Sequence, residues 1–184
     1  MTDNVITPEF RAGYVGLFKA SAPKDDPNGK KKYSIRALFP PNTDLSELKG
    51  EAQKAATEKW GSAIPKALRS PFRTNGELET PVAGVPEDWI VMSFTANEDR
   101  RPGIVDANLQ DVIDESVVYS GAWYRAEVRA FAYEARGNKG VSFGVQNVQK
   151  MRNDEPIGAG RKPASKVFSK VGGDTSEGTG SLFD

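Results

Sequence analysis

From Ala122 to Tyr133 the sequence AWYRAEVRAFAY alternates two kinds of side chain with a period of two. That period belongs to an extended strand and not to a helix, and it gives the strand two unlike faces. One face takes Ala122, Tyr124, Ala126, Val128, Ala130 and Ala132, small and apolar enough for a core. The other takes Trp123, Arg125, Glu127, Arg129, Phe131 and Tyr133. Flat rings between guanidinium groups suit the stacking of unpaired bases and the neutralising of the phosphates that join them. The same residues also suit a satellite core, with the rings under a helix and Arg125 and Arg129 paired to Glu127. Spacing leaves both readings open, and a register slip of one residue would exchange the two faces.

Other segments supply the rest of a sheet. Gly13 to Lys19 reads as a first strand and Lys32 to Phe39 as a second, with Tyr33, Ile35, Ala37 and Phe39 on one side. Between them Asp25-Asp26-Pro27-Asn28-Gly29 is turn chemistry, so a hairpin brings Lys30, Lys31 and Lys32 to its end. Trp89 to Ala96 alternates as a third strand, followed by a turn ending in Arg100-Arg101-Pro102-Gly103. Tyr119 to Tyr133 is long enough to bend at Gly121, and Gly137-Asn138-Lys139-Gly140 turns it into a last strand, Val141 to Lys150. The one helix spans about residues 45 to 60, with Asp44 and Glu47 placed as a capping pair. Residues 61 to 87 carry four prolines without periodicity and read as a long loop. The expectation is a mainly β fold of five strands closed into a barrel, which removes exposed sheet edges, with one inserted helix and long loops.

Composition narrows the chemistry. The 184 residues suffice for one domain, read as 1–157, plus a tail at 158–184. No apolar stretch approaches membrane-spanning length, so no membrane partner is expected. Cysteine and histidine are both absent, which excludes disulfides, thiolate chemistry, His-based triads and the usual zinc sites. No catalytic residue, cofactor or metal is expected. Asp106, Asp111, Asp114 and Glu115 would be the magnesium ligands of a nuclease, but clustered loop carboxylates more often solvate the surface. Gly158-Ala159-Gly160 lacks the third glycine of a dinucleotide fingerprint. Lys139-Gly140-Val141-Ser142-Phe143 departs from the RNA-recognition signature at its third slot.

The net charge is zero, yet it is unevenly placed. All 25 Lys and Arg lie at or before Lys170, and three of the 25 acidic residues, Asp174, Glu177 and Asp184, come after it. The body therefore has a small positive excess and the end an equal negative one. The segment from Gly158 has too few apolar residues to fold alone. Leu182-Phe183-Asp184 puts an aromatic beside the terminal carboxylate, as a recognition tag or a frayed end would.

Several blocks in order tip the balance. Phe10 to Ala20 followed by Lys32-Tyr33-Ser34, then Glu58-Lys59-Trp60-Gly61, Arg101-Pro102-Gly103-Ile104-Val105-Asp106 and Tyr119-Ser120-Gly121, resemble one family. Gly137-Asn138-Lys139-Gly140-Val141 running to Asn147-Val148-Gln149-Lys150 carries the likeness most specifically. The family is the single-stranded DNA-binding proteins of tailed bacteriophages, and the resemblance covers about residues 8 to 158. It implies an OB-fold ending in an acidic tail, sheathing of single strands in phage replication and recombination, and work in the cytoplasm of the infected bacterial host. It also implies tail contacts with replication partners such as a polymerase or helicase, here through Asp174, Glu177, Leu182, Phe183 and Asp184. Lys162, Lys166 and Lys170 make this tail less acidic than the family pattern. On this reading Arg36, Arg125, Arg129, Lys139 and Lys150 track the DNA backbone while Trp123, Phe131 and Tyr133 stack bases. Lys31, Lys32, Arg100 and Arg101 are further candidate phosphate contacts. The alternatives are a structural or assembly phage protein and a magnesium-dependent nuclease using Asp106, Asp111 or Asp114. A homo-oligomer is compatible with the sequence, although no residue pattern in it requires one.

Overall fold

The computed structural model describes residues 1–158 and 164–171. Its strands are β1 (Asn4–Ile6), β2 (Phe10–Ser21), β3 (Lys32–Phe39), β4 (Arg73–Thr74), β5 (Ile90–Asn97), β6 (Gly103–Val105), β7 (Trp123–Ala135) and β8 (Asn138–Arg152). The helix α1 (Ser46–Trp60) lies between β3 and β4, and a single turn α2 (Ala164–Val167) follows the sheet.

The five long strands pair in a closed cycle, β7 to β2, β2 to β3, β3 to β5, β5 to β8 and β8 back to β7. All of these pairings are antiparallel except β5 with β8. This is the expected five-stranded ring. The alternation of β7 is in the expected register: Tyr124, Ala126, Val128 and Ala130 are buried, while Arg125, Arg129 and Phe131 are exposed. Inside the ring Phe10 lies edge-on to Phe39 and Phe94, with centroids 5.5 and 5.8 Å away, and 6.2 Å from Tyr124. Edge-to-face packing of this kind adds to the gain from burying the rings. Burial raises the pKa of the Tyr124 phenol, so it stays protonated. It donates to the Tyr119 carbonyl and accepts from the Tyr119 N–H, both at 2.9 Å, which pins the entry to β7.

Several local expectations are corrected. The turn into β8 is made by Arg136 and Gly137, both at positive φ (51° and 77°), with Ala135 paired to Asn138. That is the two-residue hairpin loop whose twist matches the strands, so Asn138, Lys139 and Gly140 belong to the strand and not to the turn. Asp44 does not form a capping pair with Glu47: it accepts from the Ser46 N–H at 3.0 Å, and the residue at the helix N-cap is Leu45. The stretch 61 to 87 is more ordered than its prolines suggest. Buried Asn75 donates to the Val82 and Val85 carbonyls and accepts from the Val82 N–H, while Arg69 pairs with Gly140 beside β8. Strands β1 and β6, three residues each, extend the ring and were too short to carry a periodic signal. The bend at Gly121 is present, with φ of 113°. It is obligatory there, because a side chain would collide with the backbone of Glu155 to Ile157.

Helix α1 lays Leu48, Ala52, Ala55 and Ala56 on the sheet, the small residues allowing close approach to β7. Its Glu51 is buried, yet its carboxyl sits below the usual range because Lys54 donates to it at 2.6 Å and the Asp3 N–H at 2.8 Å. That bond ties β1 to the helix. At the other end Trp60 Nε1 donates to Glu134 at 2.7 Å and fixes the helix to the tip of β7.

Candidate nucleic-acid interface

The pairing registers carry one row of residues across five strands of the outer face: Arg129, Gly144, Thr95, Ser34 and Gly16. The adjacent row holds Phe131 opposite Ser142 on one side, and Ser93, Arg36 and Tyr14 in mutual register on the other. Glycine, serine and threonine thus make a shallow floor on which an extended chain can approach the backbone. Rings rise at its margins, with Phe131 and Tyr14 exposed by 41% and 47%.

Arg36 and Tyr133, far apart in sequence, meet in a groove of about 280 Å³ along this floor, lined also by Ser70, Arg73, Ser93 and Ser142. No carboxylate lines that groove among the described residues. Tyr133 lies across Gly140, where a Cβ would stand 2.7 Å from the phenol oxygen, so glycine sets the tilt of the ring. The centroids of Phe131 and Tyr133 are 6.5 Å apart. A second groove, about 460 Å³, runs between α1 and β7 and holds Arg129, Phe131, Lys59, Thr2 and Gln146, together with Glu58. Arg129 Nε donates to Thr2 at 3.2 Å.

At the end of the floor the β2–β3 loop and the β7–β8 turn face each other. The guanidinium of Arg136 reaches Asp26 at 3.1 Å, and Lys31 and Lys32 are exposed beside this junction. Lys139 lies 3.8 Å from Glu134.

The remaining candidates are elsewhere. Trp123 is ten residues from Tyr133 along β7, about 34 Å at the rise of a strand. Its indole donates to Asp154 at 2.8 Å, stacks under the Arg152 guanidinium at 4.4 Å and lies 6.3 Å from Trp89. The indole bond holds the Asp154 carboxyl below its ordinary range. Arg125 donates to Gln149 at 2.6 Å in a separate cleft of about 230 Å³ that includes Ile6, Val105 and Glu127. Lys150 pairs with Tyr124, a residue of the inward face. Its ammonium donates to the Val117 carbonyl at 2.7 Å and lies 5.0 Å from the Tyr119 ring, and burial lowers its pKa. Arg101 covers Phe18 at 4.6 Å, and Arg100 is exposed on the same loop.

Tyr14, Arg73, Lys59 and Trp89 were not anticipated. Tyr14 had a readable signal, as an aromatic in a strand, whereas Arg73 and Lys59 arrive through tertiary folding. Asp174, Glu177, Leu182, Phe183 and Asp184 lie outside the described residues.

Two of the carboxylates considered for magnesium, Asp106 and Asp114, serve as local caps. Asp106 accepts from the N–H groups of Asn108 and Gln110 at 2.8 and 3.0 Å, and Asp114 accepts from the Ser116 N–H and hydroxyl. Among the described residues no three such groups converge to hold a metal.

A closed five-strand ring in this order, with its parallel β5–β8 pairing, defines the OB-fold class. The family model described as Enterobacter phage Enc34, ssDNA-binding protein, matches residues 3–178, and the chain belongs to that family. Among solved structures it is similar to the single-stranded DNA-binding protein from bacteriophage Enc34 in complex with ssDNA, with 22% identity and a TM-score of 0.67 over 84% of this chain and 89% of that one. It is also similar to gp2.5, a single-stranded DNA-binding protein encoded by bacteriophage T7, with 14% identity and a TM-score of 0.63 over 96% and 100% of the two chains. No curated protein matches the sequence.

Proposed function

We propose that this chain binds single-stranded DNA without reading its sequence and sheathes it during phage DNA replication and recombination, a non-enzymatic role. The observation that carries the reading is the outer floor of small residues bordered by Phe131, Tyr133 and Tyr14 and by Arg36, Arg73 and Arg129. Rings stack any base and guanidinium groups pair with any phosphate, so neither selects a sequence. The Enc34 protein, solved with ssDNA, supports the reading through shared family and fold. In this assignment residues 1–157 bind DNA in the cytoplasm of the infected bacterium, and the segment 158–184 engages replication proteins through its acidic end. Arg36, Arg129, Phe131 and Tyr133 form the centre of the interface, Lys31, Lys32 and Lys139 one end, and Trp123 and Arg125 an extension towards the other.

Titration of intrinsic tryptophan fluorescence with oligothymidine and oligocytidine, at low and high salt and with and without magnesium, tests the reading. Similar affinities for the two oligomers, weakened by salt and with the DNA left intact in magnesium, are expected. Absence of binding at low salt would refute it, and metal-dependent cleavage would revive the nuclease alternative.

A further inference from the structure

In β8, Val145 stands opposite Val128 and Asn147 opposite Glu127, so Gln146 between them is an extra residue without a partner on β7. It is a β-bulge, and it leaves Gln146 and Asn147 exposed in succession. Bulges recur beside binding sites because the extra residue re-aims a side chain. Here Gln146 lines the groove of about 460 Å³ between β7 and α1. Its side-chain amide makes no hydrogen bond among the described residues, whereas the nearby amides of Asn147 and Gln149 donate to Glu127 and to the Asp106 carbonyl.

This groove is continuous with the floor, since Arg129 and Gly144, the first two members of the row of small residues, line it together with Phe131. It leads off the sheet. Beyond Arg129, which pairs with Asn4, neither β1 nor β2 pairs with β7, and the last turn of α1 contributes Glu58 and Lys59 there. Lys59 is exposed, and its ammonium, 6.0 Å from the Trp60 ring, forms no ion pair among the described residues. Glu58 is the one carboxylate lining the groove among the described residues, and it is paired with the Met1 ammonium. A cation and an amide thus stand uncommitted where the floor ends. Lysine and glutamine side chains are donors to phosphate and sugar oxygens, contacts that hold a strand in place without reading its bases. We infer that single-stranded DNA crossing the floor continues over β7 into this groove, where Lys59 pairs with a phosphate and Gln146 donates to a phosphate or sugar oxygen. The inference rests on the DNA-binding reading and extends the path from the barrel onto the helix.

Oligothymidine of about 16 nucleotides, the upper end of what one OB-fold covers, tests this on the full-length chain. Lys59→Met should lower affinity several-fold at low salt and flatten the slope of log affinity against log salt by about 0.7, the value of one phosphate on a single strand. Gln146→Ala should lower affinity with the slope unchanged, and Lys59→Arg should behave as wild type. Lys49→Met is the control for charge at a distance: Lys49 is exposed on the same helix but lines a separate groove with Ile64 and Phe72, so affinity and slope should both stay as they are. All three positions are exposed, and thermal melts of the four variants should match the wild type. Wild-type binding by Lys59→Met or by Gln146→Ala, or a loss in Lys49→Met equal to that in Lys59→Met, would overturn the inference while leaving the DNA-binding reading in place. A wild type that does not bind at low salt would overturn both.

Discussion

Phe131 and Tyr133 are the side chains on which the interface most depends, since they border the floor and keep a face free of the core. Replacing either by alanine should weaken oligothymidine and oligocytidine alike, by about 1–3 kcal/mol per stacked base, as read by fluorescence titration. Lys150 makes a useful control. Its ammonium is committed to the Val117 carbonyl, so Lys150→Met should lower thermal stability and leave short-oligomer affinity nearly unchanged. At the Trp123 end the relevant observable is acid stability. The Trp123 indole is the main cause of the depressed Asp154 pKa. A carboxyl depressed in the folded state contributes stability that is fully present above its unfolded value, about 3.9, and is lost as pH falls through the lower folded value. Urea denaturation should therefore show wild type more stable than Asp154→Asn at neutral pH, with the gap closing on the acid side of that window. A gap that persisted in strong acid would assign the difference to something other than ionisation.

The junction between the β2–β3 loop and the β7–β8 turn concerns two elements. Arg136 and Asp26 are 110 residues apart and form an ion pair with the guanidinium still largely exposed. Surface pairs of this kind contribute little to stability, about 0–1 kcal/mol, so the pair's larger effect falls on ligand binding. Asp26 occupies the donors of Arg136 that a phosphate would take. Asp26→Asn should then raise oligothymidine affinity several-fold at low salt without a matching change in melting temperature, and a drop in affinity would refute the competition. This pair also shows what the sequence makes legible. Long alternating runs identified β3, β7 and β8 as strands, because a period of two belongs to extended backbone; which face of β7 turns outward was settled only by the fold, which buries Tyr124, Ala126 and Val128 and exposes Arg125 and Arg129. Closure into a barrel followed from resemblance and from the need to remove edges. What could not be read is what tertiary folding alone brings together: Arg36 with Tyr133, Arg73 beside Ser93, and Asp26 with Arg136. Lys150 illustrates the same limit within a single strand. The register shift between Val145 and Asn147, opposite Val128 and Glu127, places an extra residue, Gln146, in β8 and moves the following side chains to the other face, carrying Lys150 inward.

For the molecule as a whole, the uneven charge decides how affinity responds to salt. Neutralising about four phosphates of a single strand should give a slope of log affinity against log salt of about −2.8, from roughly −0.7 per phosphate. The acidic end beyond Lys170 works against this attraction, because any carboxylate near the floor competes with phosphate for the same guanidinium groups. Deletion of residues 174–184 should therefore tighten binding a few-fold at low salt. Screening length shrinks to about 3 Å at molar salt, so the gain should vanish there, and the truncated protein should show the steeper slope. The prediction is a difference between two titration series, and shared errors in protein concentration cancel in it. If the truncated and full-length chains give parallel lines of equal affinity, the acidic end does not meet the DNA floor and serves only its protein partners. If truncation weakens binding, the tail contributes contacts of its own, and the electrostatic account of this chain has the wrong sign at its end.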